Sequence, residues 1–93
     1  MADVLSVHAA SALIYTGKGQ IAGVVISSST AGVAQIATFY DNTAGSGTKL
    51  LESYISTFPV VIFFEERFSP TFATGLYLVL AANMIATVWT RQL

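Results

Sequence analysis

The chain has 93 residues, a net charge of -1 and only nine charged side chains, 10% of the sequence where an ordinary globular domain carries about 25%. That balance excludes a nucleic-acid binder, which needs a Lys/Arg surplus to neutralise phosphates, and a disordered tail, which needs a polar or highly charged composition. The absence of cysteine excludes a disulfide-stapled miniprotein and a thiolate zinc site.

The length allows one domain, with residues 1–10 as a short N-terminal arm and 11–91 as the folded unit. A chain this small builds a modest core, and small domains often gain stability by oligomerising. Nine charges also make a poor surface for a soluble monomer. The sequence therefore poses a choice. Either much of the surface is hidden against copies or a partner, or the chain sits in a membrane.

Composition favours strands. Val, Ile and Thr number 26 and aromatics 11, whereas Glu, Lys, Arg and Gln total only ten. The first ten residues contain Asp3 and no Lys or Arg, so the basic region of a signal peptide is missing. A first strand is expected at 12–16, ending at Gly17-Lys18-Gly19, with a second at 20–27. A third spans 33–40 and runs into the polar turn 41–47. Residues 48–56 fit either a strand or a short helix, because Leu50, Leu51, Tyr54 and Ile55 share a helical face. Pro59 suits a strand start or edge, and 60–65 reads as a strand. Residues 67–75 read as an irregular connection. Strands at 76–81 and 85–90 follow, joined as a hairpin by Ala82-Asn83, since Asn tolerates the left-handed conformation of tight turns. The fold class expected is all-β, a small antiparallel sandwich or jelly-roll-like barrel.

No charge occurs between Phe68 and Thr90, which invites a transmembrane reading. Asn83 at its centre, the breaks at Pro70 and Gly75, and weak charge asymmetry in the flanks favour the hairpin.

The chemistry-bearing residues are sparse. His8 is the only histidine, so a transition-metal site would rest on carboxylates alone. Gly17-Lys18-Gly19 with Gly23 lacks phosphate-loop spacing. Asp41-Asn42 reads as a turn capped by its own side chains rather than a calcium ligand pair. Glu65 and Glu66 are adjacent, so in a strand they point to opposite faces and do not act on one bond. No Gly-x-Ser-x-Gly elbow is present. The expectation is a protein without catalytic residues, metal or cofactor, and not an enzyme.

The informative pattern is two-sided hydrophobicity. A strand with one wet face alternates apolar and polar residues, but Val60-Val61-Ile62-Phe63-Phe64 and Leu76-Tyr77-Leu78-Val79-Leu80-Ala81 do not. Phe63 and Phe64 point to opposite faces, so at most one enters a two-layer core. The candidate interface comprises Val4, Leu5, Val61, Phe63, Phe64, Tyr77 and Val79.

The order of segments resembles the small all-β decoration, or cement, proteins of tailed bacteriophage heads. Gln20-Ile21-Ala22-Gly23-Val24-Val25-Ile26 is followed by Ile36-Ala37-Thr38-Phe39-Tyr40-Asp41-Asn42 entering a Gly/Ser/Thr loop. Arg67-Phe68-Ser69-Pro70, Thr74-Gly75-Leu76-Tyr77-Leu78 and Ala86-Thr87-Val88-Trp89-Thr90 complete the pattern. The resemblance implies a sandwich or jelly-roll-like unit, commonly a homotrimer. It would sit on the outer surface of the capsid in the virion, with the major capsid protein as partner and neither nucleic acid nor membrane involved. It carries over no catalytic residue. Two other readings are a single-pass phage membrane protein and a carbohydrate- or receptor-binding sandwich using Tyr40, Tyr54 or Trp89 as a stacking platform.

Overall fold

Val, Ile, Thr and aromatic residues recur along the whole chain in short runs broken by Gly, Ser, Asn and Pro, and the result is an antiparallel β-sandwich. The computed structural model describes residues 4–28, 35–55 and 59–93. Among them are nine strands: β1 (Val4–His8), β2 (Ala12–Thr16), β3 (Gly19–Ser28), β4 (Gln35–Asp41), β5 (Thr48–Ile55), β6 (Val60–Phe63), β7 (Thr71–Phe72), β8 (Gly75–Leu80) and β9 (Met84–Gln92). One 3-10 turn, Glu66–Phe68, precedes β7. The front sheet has the order β1-β9-β3-β6, and β7 extends the β6 edge of β3. The back sheet has the order β2-β8-β4-β5.

The core lies between the sheets. Ile21, Val24, Ile26, Met84, Ala86 and Val88 face in from the front, while Ala37, Phe39, Leu76 and Leu78 face them from the back. Strand β9 shows the underlying period of two: Met84, Ala86, Val88 and Thr90 are buried, and the residues between them face out. Phe72 closes one end of the core, edge-to-face with Tyr15 at 5.5 Å between ring centres.

Several expectations change. The segment expected as an N-terminal arm contains β1, which pairs with β9 from Val4↔Thr90 to His8↔Ala86. The 48–56 ambiguity resolves to a strand over Thr48–Ile55; Ser56 lies outside the described residues, as do Val33 and Ala34 of the third expected strand. The 67–75 connection contains β7. Asn83 has the left-handed backbone expected of it, with φ of 66°. It does not make a hairpin, because β8 belongs to the back sheet and β9 to the front. Both strands carry inward apolar residues, and splitting them between layers places Leu76 and Leu78 opposite Ala86 and Val88 in a single core.

One end of the sandwich is tied by Asp41, the last residue of β4. Its carboxylate accepts the backbone N–H groups of Ala73 at 3.1 Å, Thr74 at 3.0 Å and Gly75 at 3.5 Å. The Thr74 carbonyl in turn accepts the Gly17 N–H at 2.9 Å. Asn42 holds the adjoining loop, accepting from Thr43 N–H and donating to the Ser46 carbonyl, both at 2.8 Å. The Thr74 N–H above all holds the Asp41 carboxyl below its ordinary value of 3.8, against desolvation, which comes next in size, and with smaller help from the Ala73 and Gly75 N–H groups. A carboxyl lowered in the folded state contributes stability above its unfolded value, and this is lost as the pH falls through the lower folded one. Asp41→Ala is expected to cost about 1–2 kcal/mol at neutral pH, reduced from the full charged hydrogen-bond value by solvent access. Urea unfolding should show the gap between variant and wild type closing below pH 4. A gap independent of pH would contradict the assigned role.

Candidate interaction surface

The register of the front sheet builds its outer face row by row. Leu5, Trp89, Gly23 and Phe63 lie side by side across β1, β9, β3 and β6. The next row is Val7, Thr87, Val25 and Val61, and Ile85 with Ser27 follows. None of these side chains is charged. Phe63 is 64% exposed, Val7 63%, Val61 57%, Leu5 55% and Ile85 47%. The alternation that buries Met84, Ala86 and Val88 therefore sends Ile85 and Trp89 outward together with apolar residues from three neighbouring strands.

Phe63 and Trp89 form the aromatic centre of this face, with ring centres 5.2 Å apart and planes inclined at 54°. Gly23 lies between them in the same row. Its missing Cβ makes room for the Phe63 ring, which lies across the Gly23 backbone and covers it. Gly23→Ala would place a methyl against that ring and 3.2 Å from the Ile62 carbonyl oxygen. Within a single chain the ring is exposed and free to lift, so a cost to the fold of about 1 kcal/mol or less is expected. Trp89 emission should shift to longer wavelength as Phe63 leaves it; an unchanged spectrum would argue against the contact.

The candidate interface residues fall in three places. Leu5, Val61 and Phe63 share the front outer face. Val4 shares the register position of inward-facing Thr90, yet it is exposed because β1 is an edge strand. Phe64 turns the other way and packs against the core. Tyr77 and Val79 are on the outer face of the back sheet. They are half-buried because Gly45 of the 42–47 loop lies against them, so close that a Cβ there would be 2.9 Å from Val79 and 3.3 Å from Tyr77. Val7, Ile85 and Trp89 also belong to the front face, although they lie outside the unbroken apolar runs; their signal is the alternation within β1 and β9.

The back sheet's outer face differs in chemistry. Lys49 Nζ lies 3.1 Å from Glu52 Oε2, which also accepts the Thr38 hydroxyl at 3.0 Å. These bonds, led by the one from Lys49, lower the Glu52 carboxyl, while the bond to Glu52 raises Lys49. Tyr54 is exposed on this sheet, and Tyr40 lies two residues along β4 from Thr38. Trp89 is on the other sheet, beside Phe63.

An open recess of about 510 Å³ lies at one end of the front face, lined by Gln20, Glu65, Glu66 and Arg67. Its polar groups engage one another. Gln20 donates to the Glu66 carbonyl at 3.2 Å and accepts from Arg91 at 3.1 Å; Arg67 lies 3.5 Å from Glu65 and over the Phe68 ring. His8 is 3.0 Å from the Ser6 hydroxyl. Among the described residues no group of three or more His, Cys, Asp or Glu side chains is placed to hold a metal, and no helix is long and apolar enough to cross a membrane. No family model, curated protein or solved structure matches the chain.

Proposed function

We propose that this chain is a non-catalytic structural protein of the virion, a decoration protein on the outside of a phage head that works by packing protein against protein. The observation that carries the reading is the uncharged outer face of the front sheet, where exposed Leu5, Val7, Val61 and Phe63 form one contiguous apolar patch of the size that marks interaction sites. The segment order that resembles the cement proteins adds the setting: the outer capsid surface, the major capsid protein as partner and a trimeric unit. The β-sandwich fold is the one that resemblance implies. The reading is tested by quantifying the chain in washed, intact virions of the phage that encodes it. A copy number in fixed ratio to the major capsid protein supports it, and absence from the particles overturns it.

A further inference from the structure

We propose that the occupant of the front outer face is a second copy of this chain, packed on it with the Phe63–Trp89 pair inside the contact. The inference rests on the structural reading above and specifies the partner at that same face.

The three rows from Leu5 to Ile85 hold no charged side chain. Pressing such a face against its own copy buries no ion and opposes no like charges, so it is complementary to itself. The back sheet, with Lys49 and Glu52 on its outer face, lacks that property.

A fully free large side chain offers on the order of 150–200 Å², so Leu5, Val7, Val61, Phe63 and Ile85 with their partly covered neighbours present roughly 600 Å² per copy. A standard stable interface takes about 800 Å² from each partner. The face alone supplies most of that, and the polar residues at its end supply a rim.

The rim also decides against a lipid surface. A membrane-docking face gains from a border of Lys and Arg facing anionic headgroups. The end of this face carries Glu65, Glu66, Arg67 and Arg91, two charges of each sign, with Glu65 and Arg67 paired. Such a mixed border suits protein contact better.

Trp89 is the only tryptophan, so its accessibility reports on the face directly. Acrylamide quenching of the wild-type chain is expected to be low at micromolar concentration and to rise several-fold once copies separate; quenching already at its full value at micromolar concentration and unchanged on dilution would overturn the proposal. Size-exclusion chromatography with light scattering should find the wild type as a multiple of the chain mass and Phe63→Asp as a single chain of 9.8 kDa, with an unchanged far-ultraviolet dichroism spectrum. Tyr54→Asp, on the back sheet, should assemble like the wild type. If Phe63→Asp does not fold, Val61→Lys takes its place, and the quenching series stands without any variant. An assembled Phe63→Asp would overturn the proposal. So would a monomeric wild type whose attachment to heads needs Phe63, although that result would leave the decoration role standing. An assembled wild type missing from virions would remove the decoration role and keep the self-contact.

Discussion

Phe39→Ala is expected to lower the unfolding free energy by about 3–5 kcal/mol, the range for truncating a fully buried aromatic residue. Phe39 has no exposed surface and lies on β4, an inner strand of the back sheet. Its backbone pairs with Leu51 on one side and Leu78 on the other, so strands hold its position on both flanks and limit how far the cavity can close. Domains of this size are stable by only about 5–15 kcal/mol, so the loss is a large share of the whole. Urea unfolding at a fixed chain concentration measures it, because association would otherwise add to the apparent stability. A loss below about 1 kcal/mol would mean that Phe39 is not central to the packing.

Gly75→Ala should destabilise by at least about 2 kcal/mol although it adds only a methyl group. A Cβ at Gly75 would lie 2.8 Å from the Tyr15 carbonyl oxygen and 3.1 Å from that of Asn42. Both obstacles are backbone atoms. Tyr15 is held by the pairing of β2 with β8, and Asn42 directly follows Asp41, whose carboxylate binds the Ala73–Gly75 backbone. Relief therefore requires moving β2 or the tied loop, unlike at Gly23, where a flexible ring is in the way. At Gly17 the space is open, and only its φ of 100° resists substitution. The expected ranking by melting temperature is Gly75→Ala lowest, then Gly17→Ala, then Gly23→Ala. A Gly75→Ala variant as stable as Gly23→Ala would contradict the close backbone approach.

Much of the fold was legible because apolar period and turn residues agree. The expected strand at 12–16 coincides with β2, and the one at 20–27 differs from β3 by one residue at each end. Local bulges were not legible. Leu50 has no partner in the β4–β5 register, so Leu50 and Leu51 both pack against the core; that adjacency imitates a helical face. Ile14 stands outside the β2–β8 register in the same way, and Ile14 and Tyr15 both pack on the core. Ala22 does so opposite β9, which buries both Ile21 and Ala22. Long-range pairing was equally hidden: nothing local tells Val4–His8 that its partner is β9, at the far end of the chain.

The candidate face was half legible for a related reason. Unbroken apolar runs identified Val61 and Phe63, but such runs do not say which residue turns outward or which sheet receives the strand. Phe64 turned inward, and the 42–47 loop covers Tyr77 and Val79. The scarcity of charge that marks the sequence is thus unevenly placed in the fold. Lys49 and Glu52 pair on the back sheet, Asp41 ties one end, and Glu65 to Arg67 border the front face, whose centre has none.

The occupant proposed for this centre is a second copy of the chain. Sedimentation equilibrium of the wild-type chain at micromolar concentration tests it most directly. The expected mass is at least twice 9.8 kDa, because a face packed on its own copy joins two chains. A single species of 9.8 kDa across that range would contradict it.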